Sequence, residues 1–356
     1  EMTSSLVGSE MCIRDRSNRG KEEELLMAKV LYFNIDDNLD YENALLKEWG
    51  IDDLELIEIK DKEYKKTFGE YVRDTGAEGL VVEYEQVTKE VMDMAPELKI
   101  VSLQSIGYNC VDIDAATEHN ICVTNIPGFC AEEVALHSVG FAIDLARKIT
   151  FFDRTVQSGK WDPLLGYQTY RLKDKVFGMV FFGEIPKRMV PMLQSLGLKI
   201  LVYAPTKTKE FLAEYGCEKA ETLDELLETS DFVSMHCPLI EGVTYHMMGE
   251  EQFKKMKKTA FFINTARGSV VDEPALVKAL KEGEIQAAAI DVIEDEATET
   301  SELFGLENCI LTPHAAFMSE DAFYEGRRRC LEHLAQRLSK KMEQRPTNLV
   351  NKEVKY

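Results

Sequence analysis

The sequence predicts an α/β protein made of two doubly wound parallel-sheet domains. Two observations carry that expectation. Short β-rich apolar runs alternate with helical stretches along most of the chain, a pattern that implies parallel sheets covered on both faces. A length of 356 residues, 45% of them hydrophobic and 29% charged, suits a globular protein of about two domains.

In chain order, KVLYFNI (29–35), LELIEI (54–59), GLVVEY (79–84) and LKIVSL (98–103) read as four buried strands. Helices are expected between them at 40–49, 63–75 and 88–95. Residues 131–149 are apolar over much of their surface and predict one long, mostly buried helix. A second series of strands follows: KVFGMVFF (175–182), KILVYA (199–204), DFVSMHC (231–237), TAFFINTA (259–266), AAAIDV (287–292) and CILTPH (309–314). Helices at 186–195, 223–229 and 273–281 separate some of these, and Gly283 is a stop signal for the third. Six or seven parallel strands suit a doubly wound sheet. Residues 319–343 predict a single amphipathic helix that returns to the first domain.

Charge and cysteine usage narrow the partners. A net charge of -21 argues against a nucleic-acid surface. No run of apolar residues is long enough for a membrane span. Eight cysteines stand without C-x-x-C pairs or metal-like Cys/His spacing, so no metal site is expected and buried packing in a cytoplasmic protein is. The N-terminal stretch LVGSEMCIRD (6–15) back-translates to a string resembling a sequencing-library adapter, and Lys21, Glu22 and Glu23 to a purine-rich ribosome-binding site. Residues 1–26 are therefore expected to be a non-native leader, with the native chain starting at Met27.

The stretch GMVFFGEIP (178–186) lies where a strand gives way to a helix, the place for a dinucleotide-binding turn. Such a turn uses three glycines for bend, phosphate approach and helix packing, and an acid at the end of the next strand for the ribose. Here those positions fall on Phe181, Gly183, Pro186 and Ala204. Only one glycine survives. Pyrophosphate is bound by free N–H groups at a helix N-terminus, however, and Gly183, Glu184 and Ile185 can still supply that end. Pro186 in the first helical turn costs little. Phe181 and Glu184 oppose binding, one by bulk and the other by charge. Ala204 removes the repulsion that an acid would offer a 2′-phosphate. Thr206 and Lys207 lie in the following PTKTK (205–209), so NADP is favoured slightly over NAD.

Arg267, Glu296 and His314 each lie just beyond the carboxyl end of an expected strand, where ligands bind in open α/β sheets. Together they suit chemistry on a small 2-hydroxy or 2-keto acid. Arg267 can clamp a carboxylate and the adjacent carbonyl with its planar fork. His314 can take or return the hydroxyl proton, and Glu296, if paired with it, would orient the ring and favour its acid form.

With these residues in place, QSIGYNCVDIDAATEHNICVTNIPG, SDFVSMHCPL, INTARGSVVDE, AAIDVIEDEA and LTPHAAF resemble the successive signature segments of the D-isomer-specific 2-hydroxyacid dehydrogenases. The likeness runs from about Met27 to the C-terminus. It implies a flavodoxin-like substrate domain (27–126, completed by 319–345) and a Rossmann-like NAD(P)-binding domain (127–318), with the active site in the cleft between them and a homodimer. It implies Arg267, Glu296 and His314 as the catalytic residues, and backbone donors to the substrate carboxylate at Ser105, Ile106 and Gly107. Asp291 would hold the nicotinamide carboxamide, with Thr265 and Ala266 near the nicotinamide. His236, Cys237 and Pro238 would lie beside the adenosine half. The departures gather at the glycine turn and its acid, while the chemical residues match.

Two other readings stay open: a non-catalytic nucleotide-sensing or corepressor-like protein on the same fold, and a silent domain that binds no dinucleotide. His137 is expected to pack within its helix and His246 to sit in a loop or at a helix start. Arg327, Arg328 and Arg329 are expected on a solvated or ion-paired face, and Glu83, Tyr84 and Gln86 are candidates for, rather than expected on, the substrate side.

Overall fold

The computed structural model describes residues 27–33, 38–60, 66–83, 85–298 and 300–355. The expected leader at 1–26 and Tyr84 lie outside them. The chain divides into two units, one ending at Pro127 and resuming at Tyr324, the other spanning Gly128–Phe323.

The first unit holds β1 (Ala28–Phe33), α1 (Asp40–Trp49), β2 (Leu54–Ile59), α2 (Phe68–Thr75), β3 (Gly79–Val82), α3 (Lys89–Met94), β4 (Ile100–Leu103), α4 (Ile113–Glu118) and β5 (Cys122–Thr124). Its five strands are all parallel in the order β2-β1-β3-β4-β5, which is the flavodoxin-like order. β3, β4 and β5 are buried at every position, as a sheet with helices on both faces requires. The helices start and stop where local chemistry dictates. Thr67 and Glu70 form a capping box on α2, and Gly76 ends it in the left-handed region.

The second unit holds α5 (Ala131–Arg147), α6 (Ile149–Gln157), β6 (Val176–Val180), α7 (Glu184–Ser195), β7 (Lys199–Tyr203), α8 (Lys209–Ala213), β8 (Glu218–Lys219) and α9 (Leu223–Thr229). It continues through β9 (Phe232–Met235), α10 (Glu250–Lys255), β10 (Phe261–Asn264), α11 (Glu273–Glu282), β11 (Ala287–Ile290) and β12 (Cys309–Leu311). Seven parallel strands run β12-β11-β10-β9-β6-β7-β8. Counted from β6, this is the 3-2-1-4-5-6 Rossmann order with one strand added. Apolar clusters cover both faces; Phe262 joins one while its neighbours Phe261 and Ile263 join the other, the two-residue period of a strand. α12 (Glu320–Leu338) lays Leu331 and Ala335 against Ala28, Leu46 and Leu54 of the first unit.

Two expectations, the four-stranded first sheet and the single helix over 131–149, needed correction; two others, the six or seven strands of the second sheet and the ion pairing of Arg327, were sharpened. β5 raises the first sheet from four strands to five, and β8 is a two-residue edge strand. The helix expected over 131–149 ends at Arg147, because Lys148 adopts φ 56° and the chain restarts as α6. Arg327, expected on a solvated or ion-paired face, is 3% exposed. Its guanidinium donates to both carboxylate oxygens of buried Glu42, at 2.7 and 2.6 Å. Paired in this bidentate way, two charges can be buried together.

Six of the seven described cysteines are buried and Cys110 is half-buried; all are free. No helix among the described residues is long and apolar enough to cross a membrane.

Candidate active site

The residues singled out in the second unit follow neighbouring strands at one edge of its sheet. Read across the sheet, His314 follows β12, Glu296 follows β11, Arg267 follows β10, His236 follows β9, Gly183 follows β6 and Ala204 follows β7. The order reverses between β6 and β9, and that switch at the carboxyl edge is where open α/β sheets bind ligands. His236 N–H donates to Val180 O at 3.0 Å, tying the two sides of the switch together.

The turn after β6 keeps its shape without its glycine. Phe181 stands at φ 72°, in the left-handed region, and its N–H donates to Tyr203 O at 2.7 Å. An aromatic residue held there costs about 1–3 kcal/mol. Its side chain packs against the core cluster beneath the sheet edge, which offsets that cost. Gly183 is the N-cap of α7, and a Cβ built on it meets nothing within 4 Å. Lys187 N–H makes the first bond back into the helix, to Gly183 O at 3.3 Å. The N–H groups of Glu184 and Ile185 therefore remain at the helix end ahead of the first helical bond.

Glu184 does not stand there as a bare charge. Its carboxylate accepts from Lys187 at 2.7 Å and from Arg188 at 3.2 Å, and these bonds hold its pKa below the usual carboxylate range. The helix start thus carries two cations for one anion. These residues fit a dinucleotide phosphate, which needs N–H donors, positive charge and room.

Elsewhere in the cofactor half the fit is looser. Ala204 is 2% exposed and belongs to the core cluster. Lys207 Nζ lies 5.1 Å from the Phe211 ring centroid, Thr206 is exposed, and Thr208 caps α8. His236 Nε2 is buried with no partner among the described residues, and burial pushes the imidazole down to about 3, so it is neutral at physiological pH. Cys237 is buried with its thiol pushed up to about 11, and Pro238 O accepts from Thr244 at 2.6 Å. Thr265 is buried and its hydroxyl bonds Ser138 at 2.8 Å; Ala266 N–H donates to Asn264 at 3.0 Å.

In the other half, His314 Nδ1 and Glu296 Oε2 are 2.9 Å apart. A carboxylate only accepts, so the imidazole's Nδ1–H is fixed on Glu296 and Nε2 is left for proton transfer. His314 itself is at φ 51°. Arg267 is half-buried, donates to Ala266 O at 2.7 Å, and has no carboxylate within salt-bridge distance among the described residues. A half-buried guanidinium with its charge unmatched is a site prepared for an anion. Gly268 explains how the Arg267 and Glu296 loops lie together. A Cβ there would fall 1.7 Å from Ile293 O, so only glycine permits the approach.

Asp291, expected beside the nicotinamide carboxamide, has a side chain 1% exposed. Its carboxylate accepts from Thr312 Oγ1, from Ala315 N–H at 2.9 Å and from Ala316 N–H at 3.0 Å. His137, for which helix packing was favoured over an approach to the cleft, lies 3.2 Å from Thr312 Oγ1 through Nε2. A second His–Glu pair, His246 and Glu294 at 2.6 Å, had no signal in the sequence beyond His246 itself. In the first unit, the loop after β4 is braced by Ser105 Oγ to Gly107 O at 2.7 Å and by Asn125 to Ile106 O at 2.7 Å. The N–H groups of Ser105, Ile106 and Gly107 have no acceptor among the described residues.

Comparison with known proteins bears on these features. A family profile described as "D-isomer specific 2-hydroxyacid dehydrogenase, NAD binding domain" matches residues 139–316. A glyoxylate reductase of Korarchaeum cryptofilum is 39% identical over 310 residues, covering 85% of this chain and 90% of that protein. A glyoxylate reductase of Thermococcus litoralis is 40% identical over 278 residues, 76% of this chain and 82% of that protein. Among solved structures, a D-lactate dehydrogenase of Aquifex aeolicus complexed with NAD and lactic acid superposes with a TM-score of 0.77 at 28% identity. It covers 90% of this chain and 99% of its own.

Proposed function

The chain belongs to the D-isomer specific 2-hydroxyacid dehydrogenase family, and from that premise we propose that it works as a reductase of small 2-ketoacids, glyoxylate foremost. It is an NAD(P)-dependent oxidoreductase acting between 2-hydroxy and 2-keto acids. The nicotinamide cofactor, when bound, supplies the hydride for reduction or receives it in oxidation.

The chain's own residues do the rest. Arg267 binds the substrate carboxylate and carbonyl through its fork, a role that suits its unmatched, half-buried charge. Glu296 holds the His314 ring by Nδ1–H, so the protonated imidazole gives the Nε2 proton to the carbonyl oxygen in reduction. In the reverse direction Nε2 accepts the hydroxyl proton. The N–H groups of Ser105, Ile106 and Gly107 would donate to the same carboxylate, and those of Gly183, Glu184 and Ile185 to the cofactor phosphates. The observation that carries the reading is the 2.9 Å His314–Glu296 pair on a strand end near an unmatched arginine. A nucleotide sensor has no use for that arrangement and is not favoured.

Steady-state reduction of glyoxylate and bulkier 2-ketoacids, followed by nicotinamide absorbance, tests the substrate reading. Glyoxylate should have the highest kcat/KM, and pyruvate should yield D-lactate. A strong preference for a large 2-ketoacid, or an L-product, would overturn it.

NADP is the favoured nucleotide, because nothing acidic stands at position 204 and Thr206 and the lysines follow it. Ala204→Asp should lower the NADPH-to-NADH affinity ratio about tenfold or more, as an added carboxylate repels a 2′-phosphate. The ratio is read by fluorescence titration and is insensitive to the stability lost by burying an acid. An unchanged ratio would mean that this strand end does not choose the cofactor.

A second copy of this chain is the proposed partner. Trp161 and Leu164 are 88% and 87% exposed, and Ile149 and Val156 lie near them in sequence, also exposed. Such a stretch of apolar surface needs a cover. Leu164→Asp should convert a dimer to a monomer in light scattering; a wild-type monomer would contradict the assignment. The free, mostly buried thiols and the acidic balance fit a cytoplasmic location.

A further inference from the structure

Glu296 has little packing to hold it. Its side chain is 43% exposed, so the direction from which it meets His314 is set by the loop that carries it. That loop is tied in two ways. Glu273, the first residue of α11, accepts from Glu294 N–H at 3.1 Å with one carboxylate oxygen. Its other oxygen accepts from Ser301 Oγ at 2.5 Å, which closes the loop at both ends. The second tie is the Glu294 side chain, two residues before Glu296, whose Oε1 lies 2.6 Å from His246 Nε2.

A carboxylate only accepts, so His246 Nε2 carries a proton and donates it. Both side chains are half-buried, where such a bond is less exposed to screening than at the open surface. His246 stands at φ 48°, in the left-handed region, which a non-glycine residue keeps only where its surroundings hold it. Its N–H donates to Ser269 O at 2.9 Å, in the stretch that follows Arg267. Two residues on, Met248 N–H donates to Val270 O at 3.1 Å and Met248 O accepts from Asp272 N–H at 3.0 Å. The Tyr245 ring stacks on the imidazole with centroids 4.0 Å apart. One residue of the loop between β9 and α10 thus bonds the loop after β10 by its backbone and the loop after β11 by its ring. Those are the loops of Arg267 and Glu296.

We propose that His246 is a positioning residue for this site: it joins the two loops and, through Glu294, sets how Glu296 holds the His314 ring. This rests on the reading of Glu296 as the partner that orients His314. With the tie cut, the Glu296 carboxylate drifts and His314 Nδ1–H loses its fixed acceptor. A displacement of about an ångström in such a group can cost up to about a hundredfold in rate.

The test separates kcat from nucleotide affinity and asks through which residue the loss travels. Glu294→Ala should lower kcat about tenfold, with the dissociation constants of NADH and NADPH held within about twofold. Glu294→Gln, which keeps an oxygen for the Nε2–H, should recover most of that loss. His246→Asn tolerates the left-handed backbone but is too short to reach Glu294, so it should fall as Glu294→Ala does, and the two together no further. Glu296→Ala should lower kcat more, and adding Glu294→Ala to it should change nothing, because the effect passes through Glu296. The inference is overturned if Glu294→Ala keeps wild-type kcat, if Glu294→Gln is as impaired as Glu294→Ala, or if the losses at 294 and 296 multiply. The Glu294 variants decide the matter should His246→Asn fail to fold. A fully active Glu296→Ala would instead remove the reading beneath it. A large loss at Glu296 with none at Glu294 refutes this inference alone.

Discussion

Replacing His314 with asparagine should lower kcat about a hundred- to ten-thousand-fold while nucleotide affinity stays near wild type. Asparagine is the informative replacement because it tolerates the left-handed backbone that His314 occupies at φ 51°. The loop therefore keeps its shape, and only proton transfer is removed. The imidazole is held by Nδ1 on Glu296 at 2.9 Å, so Nε2 is the atom whose loss is felt. Equal falls in kcat and kcat/KM mark an interaction made in the transition state alone. Activity within about threefold of wild type would show that another group carries the proton.

The second large effect is expected at Gly268. An added methyl would sit 1.7 Å from Ile293 O and 2.7 Å from Glu294 N, so backbone must move. Gly268→Ala should cost about 1–3 kcal/mol of stability by overpacking. It should also lower kcat/KM about a hundredfold, because the Arg267 loop is pushed off the segment leading to Glu296. Gly140→Ala is the control: its methyl meets nothing within 4 Å on the exposed face of α5. There the change should be neutral or slightly stabilising. Thermal melts and steady-state rates of the two variants separate a specific close approach from a general intolerance of substitution.

The parallel sheets were legible because most of their strands are apolar runs of four or more residues, and most are followed by a helical stretch. β8 lacked that signal: it is a Glu-Lys dipeptide on the sheet edge. The three-residue β5 was too short to stand out from the loop beyond it. The break between α5 and α6 carries no glycine or proline; it falls on Lys148, whose ammonium donates to Leu165 O at 2.6 Å and lies 4.6 Å from the Phe152 ring centroid. Arg327 looks like its neighbours Arg328 and Arg329 in the sequence, and partners distant in the chain, Glu42 and Asn38 O among them, make it a buried residue.

The site divides in the same way. The places of Arg267, Glu296 and His314 beyond β10, β11 and β12 could be read because a polar residue just past an apolar strand has a predictable position. Which loop the Asp291 carboxylate faces could not, since its donors come from residues 21 to 25 positions away. The turn at Phe181 shows a different limit. A motif records residue types, whereas phosphate meets backbone geometry, and φ 72° survives in phenylalanine where glycine is usual. Its bulk was expected to crowd the phosphate path; the half-buried ring packs against the core cluster, and a Cβ built on Gly183 meets nothing within 4 Å.

The most direct test of the account is a single-turnover experiment on one sample. The protein is first saturated with reduced nucleotide, followed by fluorescence, and glyoxylate is then added while nicotinamide absorbance is recorded. The account predicts one nucleotide bound per chain, oxidised completely, with one equivalent of glycolate formed. Nucleotide that binds but stays reduced across glyoxylate and every other small 2-ketoacid would contradict it.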